Sequence, residues 1–207
     1  MRFRFLWEAM IVGTLAGMAL STAGCHVQVD KGKDGENKNV KVDTPFGGLH
    51  VRADATTATD LGLPVYPGAQ VSPDHEGDKS ADIHMGFGQF QLRVKVVTYL
   101  SADPQEKVLA FYKTAMGRYG EVLQCQDGKP IGTLTITAEG LTCREDSKVN
   151  VQGSGYSNDD SGLTLRAGSK RHQHILAFKS TSDGSKYSLV ELELPEGLAK
   201  SGSGSSD

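Results

Sequence analysis

Residues 83–100 read IHMGFGQFQLRVKVVTYL, and they carry the strongest strand pattern in the chain. Apolar residues at every second position alternate with Arg93 and Lys95, so one face of this stretch points into a core and the other faces water. Gly86 and Gly88 interrupt the pattern, and glycines at such positions mark a turn or a bulge. The stretch therefore predicts two antiparallel strands joined by a tight connection.

A single internal helix is predicted directly after this stretch, over residues 103–120. Asp103 is a suitable N-cap, Pro104 suits the first helical position, and Gly120 supplies a C-terminal stop. Apolar side chains recur at spacings of three and four, which places them on one side of the helix. These side chains are Val108, Phe111, Tyr112, Ala115, Met116 and Tyr119. We expect this side of the helix, aromatic residues included, to pack in the core.

Most of the remaining chain predicts short strands, because alternating apolar runs are bounded by Gly, Pro, Asn and Asp. The runs cover residues 40–42, 49–51, 121–126, 133–143, 163–168, 174–181 and 186–194. Strands, then one helix, then further strands predict an α+β fold, in which an antiparallel sheet carries one main helix packed on one of its faces.

The first 24 residues follow the order of a secretory signal peptide. Arg2 and Arg4 precede an apolar run at residues 9–20, and small residues follow at 21–24. The run is shorter than the approximately 20 apolar residues that a helix needs to cross a bilayer. The sequence therefore predicts export, with an uncleaved anchor helix or a buried core helix as the alternatives.

The end of this segment, Ala23-Gly24-Cys25, resembles the lipobox of bacterial lipoproteins. The resemblance implies cleavage before Cys25 and acyl chains on its sulfur, and two or three such chains give stable membrane anchoring. It also implies a position facing the periplasm, at the outer membrane because residue 26 is not Asp. Thr22 stands where the lipobox usually has an aliphatic residue, and a soluble periplasmic or secreted protein is the alternative.

Composition divides the rest of the chain into four parts. Residues 25–39 combine the cysteine with a polar segment rich in Lys, Asp, Gly and Asn, which predicts a flexible tether. Residues 40–60 predict a short hairpin and linker, and residues 61–197 a single domain. Residues 198–207 predict a disordered tail.

Three segments of the central domain resemble a family of bacterial predicted lipoproteins with a YPGA … FYK pattern. The segments are LPVYPGA at 63–69, VVTYLSADP at 96–104 and VLAFYKTAM at 108–116. The resemblance spans residues 61–120 with some extension into the closing strands. Proteins of this kind are secreted or lipid-anchored, and the resemblance implies a fold and no known activity.

Two cysteines remain if Cys25 is acylated. Cys125 and Cys143 are then an even number in an oxidising compartment, and only one pairing is possible. The two residues lie on predicted neighbouring strands, and no Cys-x-x-Cys spacing indicates a redox role. We predict a structural disulfide, with two separate buried thiols as the alternative.

His172 and His174 are the candidates for a metal site, since two residues apart on an extended segment they share one face. Candidates for a third ligand, by residue type alone, are His84, His75 and Glu76. Two basic residues directly before the pair disfavour a bound cation. A solvated hairpin end is therefore the favoured interpretation, and no cofactor is predicted.

Composition and motifs do not indicate catalysis or nucleic-acid binding. The net charge is −3 without a dense Lys/Arg run, and the sequence contains neither G-x-S-x-G nor H-E-x-x-H. Acidic clusters at 74–78 and 158–160 lack the spacing of a calcium loop. We expect a non-catalytic binding or scaffolding protein anchored to a membrane. The alternatives are a small-ligand-binding or metal-binding periplasmic protein, or an enzyme, with a site opposite the helix or around His172 and His174.

Overall fold

The structure, a computed structural model, describes residues 25–31, 37–53, 56–72, 80–143, 162–179 and 184–196. Outside these residues lie the predicted signal peptide, the predicted tail, both acidic clusters, and the candidate ligands His75 and Glu76.

The described residues form eleven strands, one α-helix and two short 3₁₀ helices. The strands are β1 His26–Lys31, β2 Asn37–Thr44, β3 Gly47–Ala53, β4 Gln70–Val71, β5 Ser80–Phe87, β6 Phe90–Ser101, β7 Leu123–Gln126, β8 Lys129–Pro130, β9 Leu163–Gly168, β10 His172–Lys179 and β11 Ser185–Glu193. The helix α1 spans Gln105–Met116, and the 3₁₀ helices span Ala58–Leu61 and Gly117–Tyr119.

All eleven strands join one sheet in the order β1-β2-β3-β5-β6-β11-β10-β9-β7-β8, and β4 pairs with β6. Every strand pair is antiparallel. The predicted α+β class is therefore wrong, because the fold is mainly β. One short helix covers only part of a sheet this wide and does not form a second layer of its own.

The opening stretch forms the hairpin β5–β6, as its pattern predicts. Phe87 pairs with Phe90, and the chain reverses between them at Gly88, whose φ of 58° lies in the left-handed region that glycine adopts freely. β6 occupies the middle of the sheet and pairs with both β5 and β11. The stretch thereby sets the register on both sides of the sheet's centre.

The helix α1 lies within the predicted range, 103–120, and buries Val108, Tyr112 and Met116 at spacings of four. Asp103 does not cap it, because Pro104 occupies the N-cap position. The Asp103 carboxylate instead accepts hydrogen bonds from the Tyr66 hydroxyl at 2.9 Å and from a lysine one turn into the helix. The aspartate thus fastens the start of the helix to the segment preceding β4.

The core between α1 and the sheet is rich in tyrosine. The ring of Tyr112 on α1 lies 5.5 Å from that of Tyr187 on β11, and the ring of Tyr99 on β6 lies 5.9 Å from that of Tyr187. All three residues are buried. Burying these large rings removes apolar surface from water and stabilises the packing of the helix on the sheet. We call this side of the sheet the helix face, and the other side the opposite face.

Residues 26–31 and 37–39 belong to the range for which a flexible tether is predicted, and in the structure they form strands. They contribute β1 and the start of β2, which pair from His26 opposite Asp43 to Lys31 opposite Asn37. The β2–β3 hairpin was predicted, and it joins the main sheet through β5 instead of standing apart from it. Valines alternate with polar residues in β1 and β2, as is typical of strands. β2 pairs with β3, and β1 pairs with β2, so each of these polar strands has a partner that it would lack as an isolated segment.

The strand predicted over residues 133–143 is irregular instead, and Ile136 is 53 % exposed. Cys143 at its end bonds to Cys125 on β7, with an S–S distance of 2.06 Å, as the cysteine count predicts. Both cysteines are buried against Leu123. The disulfide therefore fixes this irregular segment to the edge of the sheet.

Among the described residues, no helix has the length and hydropathy required to cross a membrane.

Candidate binding pocket

Two neighbouring rows of polar side chains cross the helix face. Each row takes one residue from each of the same seven strands. The first row is Gln28, Lys41, His50, His84, Arg93, Glu193 and His172. The second row is Asp30, Asn39, Arg52, Asp82, Lys95, Glu191 and His174. Because residues two apart on a strand point to the same face, the two rows lie side by side.

A pocket of about 440 Å³ opens over the part of these rows that belongs to β1, β2, β3, β5 and β6. The helix α1 contacts β9 and β10 and leaves this part of the sheet open. Charged and histidine side chains in its lining are Asp30, Lys41, His50, Arg52, Asp82, His84 and Arg93. We call it the polar pocket. Its volume falls in the range of about 300–1,000 Å³ that small-molecule sites occupy.

Asp82 is the centre of the polar pocket. Its carboxylate accepts a hydrogen bond from Arg52 Nη2 at 2.7 Å, and from Arg93 Nη2 at 3.1 Å and Nε at 3.3 Å. Burial acts to raise the pKa of the Asp82 carboxyl, but the hydrogen bonds from Arg93 and Arg52 outweigh it and hold that pKa below its ordinary value. Asp82 is therefore ionised at neutral pH and held between two cations.

Two histidines lie beside this triad on the neighbouring row. The rings of His50 and His84 meet edge to face, with centroids 6.3 Å apart. His50 Nε2 lies 3.0 Å from Asp43 Oδ1, and His84 Nε2 lies 2.9 Å from Gln91 Oε1. The pKa of the Asp43 carboxyl is lowered, mainly by the hydrogen bond from His50 and secondly by the one from Lys41. These contacts orient both imidazoles within the pocket lining.

His172 and His174 share one face of β10, as predicted, but their surroundings differ. His172 is exposed and pairs with Glu193, Nε2 to Oε1, at 2.6 Å. His174 is buried, and its ring stacks on Tyr119 with centroids 3.6 Å apart. Burial lowers the pKa of the His174 imidazole, so this ring is neutral at pH 7. The two histidines do not form a common site.

A different trio at this end of the rows has donor atoms close together. His172, Glu191 and Glu193 place their ligand atoms within 4.8 Å of one another. Lys95 Nζ already lies 2.7 Å from Glu191 Oε2 and balances its charge. His84, proposed as a third ligand, lies instead in the polar pocket, two strands away from β11. The trio therefore forms an ion-pair cluster in which a metal would have to displace Lys95.

Cys25 directly precedes β1 and is exposed with a free thiol. Its sulfur is thus accessible at one corner of the sheet, beside the first residue of an edge strand. Edge position and exposure leave space for a bulky modification.

Comparison of the chain with protein-family models, with curated proteins and with solved structures gives no significant match.

The Asp82 triad is not predicted by the sequence pattern. Polar residues alternate with apolar ones around Arg52, Asp82 and Arg93, and this signal is visible in the sequence. What the sequence does not provide is the strand order that places β3, β5 and β6 next to one another. The site also lies beside the helix on the helix face, and not on the opposite face where a ligand site was considered.

Proposed function

We propose that this chain is an exported binding protein, held at a membrane by acyl chains on Cys25, that takes a small anionic ligand in the polar pocket. The Asp82 triad carries the proposal, since it places two guanidinium groups on the floor of a pocket of small-molecule size. Arginine suits carboxylate and phosphate groups because its planar fork donates two parallel hydrogen bonds.

The charge around Asp82 favours an anion over a cation. Two guanidinium groups share one carboxylate at the pocket floor. Over the whole lining, three cationic side chains face two carboxylates, so one positive charge is in excess; these residues are Lys41, Arg52 and Arg93 against Asp30 and Asp82. The side chains of Arg52 and Arg93 are 59 % and 37 % exposed, so they are open to a ligand from the pocket side. Each guanidinium has five N–H donors, more than Asp82 uses.

Two features support export and anchoring. The disulfide between Cys125 and Cys143 fits an oxidising compartment, where such bonds form and persist. Cys25 is exposed, as a residue that receives acyl chains must be. The lipobox-like ending at Ala23-Gly24-Cys25 adds the sequence signal, and the residue after Cys25 favours the outer membrane, facing the periplasm.

Calorimetric titration with a panel of small anions, including inorganic phosphate and citrate, tests the ligand site. We expect the wild-type protein to bind at least one of them, and Arg52→Gln and Arg93→Gln to weaken that binding by about 10- to 100-fold, as the loss of a charge-assisted hydrogen bond does. Arg171→Gln is the matched control, because the Arg171 side chain is about as exposed as that of Arg52 but pairs with Glu196 outside the pocket. Equal affinity in all four proteins, or no binding by the wild type, would contradict the proposed site.

A further inference from the structure

Three exposed phenylalanines lie at one end of the sheet. Phe46 is 85 % exposed at the tip of the β2–β3 turn, and Phe87 and Phe90 are 46 % and 37 % exposed at the tip of the β5–β6 turn. The register of β3 with β5 sets Gly47 opposite Phe87, so both turns reach the same end of the sheet. We call these two turns with their phenylalanines the Phe end.

The two turns of the Phe end touch each other. A side-chain carbon added at Gly47 would lie 2.5 Å from Cδ1 of the Phe87 ring, so glycine is needed for this close approach. The β2–β3 turn is also closed internally, since the Thr44 hydroxyl donates a 2.7 Å hydrogen bond to the Gly47 carbonyl. The phenylalanines are therefore presented on an ordered surface.

Cys25 lies at the same end. His26 pairs with Asp43 in the β1–β2 ladder, which sets Cys25 beside Thr44, where the β2–β3 turn begins. Neighbouring strands are about 4.8 Å apart, so the Phe46 turn lies one strand spacing from the cysteine and the Phe87 turn about 15 Å away. An exposed thiol and three exposed aromatic rings thus share one end of one sheet.

The sequence of the Phe end suits contact with a bilayer. The turn segments TPFGG at 44–48 and MGFGQFQL at 85–92 contain no charged residue. A charged side chain would oppose entry into the boundary between headgroups and acyl chains, whereas phenylalanine favours it. Charged residues resume at Asp43 and Arg93, directly behind the turns.

We propose that the Phe end docks on the membrane surface, with Phe46, Phe87 and Phe90 inserted among the lipid headgroups beside the acylated Cys25. This rests on the proposed anchor. With β1 starting at the residue after the anchor, the sheet has no long spacer, and a chain spans at most about 3.5 Å per residue. Acyl chains on Cys25 therefore hold the Phe end close to the bilayer.

Docking in this way sets the height of the polar pocket. His84 and Asp82 lie three and five residues behind Phe87 on β5. At a rise of about 3.3 Å per residue, the pocket stands about 10–17 Å from the phenylalanines. It opens sideways along the sheet and not toward the bilayer, because its lining side chains project from the helix face.

A single-tryptophan experiment tests the docking. The only tryptophan of the chain, Trp7, precedes Cys25, so processed protein carries none. Phe46→Trp and Phe90→Trp place a reporter at the Phe end, and Val71→Trp is the control. Val71 is 41 % exposed but pairs with Tyr99, nine residues along β6 from Phe90. Each variant is expressed as the whole chain, and its processed form is extracted from membranes. The extracted protein is then reconstituted in vesicles with and without doxyl-labelled lipid.

We expect the emission of Phe46→Trp and Phe90→Trp to shift to shorter wavelength and to be quenched by the doxyl label, and that of Val71→Trp to show neither change. Unquenched emission at positions 46 and 90 overturns the docking, and a blue shift without quenching that grows with protein density would assign the Phe end to a second copy instead. Intact mass of the same samples reports acylation separately. Acylated protein whose tryptophans are not quenched would support the anchor and contradict the docking. Quenched protein without acyl mass would support membrane contact by the Phe end and contradict the anchor.

Discussion

At the scale of single residues, Asp82 holds together three strands and the floor of the polar pocket. We expect Asp82→Asn to lower the free energy of unfolding by about 1.5–3 kcal/mol at pH 7, the range for hydrogen bonds to charged groups. Asp43→Asn is the control, since its partners Lys41 and His50 are solvent-exposed, and it should leave stability nearly unchanged. Urea denaturation of the three proteins measures the difference.

The same triad makes a pH-dependent contribution. The pKa of the Asp82 carboxyl is lower in the folded protein than its unfolded value of about 3.9, so the unfolded state binds more protons as the pH falls. The stabilisation is fully present above pH 4 and is lost as the pH falls through the lowered folded pKa. The advantage of wild type over Asp82→Asn should therefore shrink below pH 4. An advantage that stays constant down to pH 2 would contradict the triad's charge.

His174 produces a second pH effect, at higher pH. Burial lowers the pKa of its imidazole, with Glu191 acting in the opposite direction. A folded pKa below the unfolded value of about 6.5 means that stability is full above pH 6.5 and is lost as the pH falls through the folded pKa. We expect His174→Phe, which keeps an aromatic ring against Tyr119, to flatten the slope of unfolding free energy below pH 6.5. A His174→Phe variant that keeps the wild-type slope would contradict the assignment.

Sequence reasoning identified His172 and His174 as a pair but not their separate surroundings. Period-two spacing correctly places both imidazoles on one face of β10. Which of them is covered depends on Tyr119, which follows α1 and reaches β10 only through the tertiary fold. Local pattern therefore assigns a face to a residue, while burial and pairing come from elements distant in sequence.

At the scale of elements, the disulfide is the main constraint on residues 127–143, where β8 is only two residues long. Closing a loop of 18 residues is worth about 3 kcal/mol in the chain-entropy model. We expect the double variant Cys125→Ser, Cys143→Ser to lose about this much unfolding free energy in urea denaturation. Cys25→Ser should lose none, because Cys25 has no partner among the described residues. A double variant as stable as wild type would mean that the native protein holds two thiols there.

Hairpins and the helix were predictable because their signals are local. A turn between two alternating runs specifies β5–β6 and β2–β3, and an apolar period of three and four specifies α1. The failures are elements whose state depends on a distant partner. β1 is polar and forms only against β2, while residues 133–143 alternate like a strand but lie past β8 at the end of the sheet order.

At the scale of the whole molecule, the fold class was predicted wrongly because the number of strands in one sheet is not a local property. The sequence predicts a tether over residues 25–39 and a short hairpin and linker over 40–60, whereas residues 26–31 and 37–53 extend the central sheet by three strands. That extension carries the helix face beyond the reach of α1, and the uncovered part holds the polar pocket. β1, β2 and β3 thus form one side of the polar pocket and of the Phe end, and β5 and β6 form the other.

The anchor at Cys25 is tested most directly by intact-mass spectrometry of the protein extracted from membranes. We predict the mass of residues 25–207 plus two or three acyl chains, rising by two hydrogens when the bond between Cys125 and Cys143 is reduced. Cys25→Ser, expressed in the same way, should carry no acyl mass and should leave the membrane fraction. The mass of the whole 207-residue chain, or of a processed chain without acyl groups, would contradict the proposed anchor.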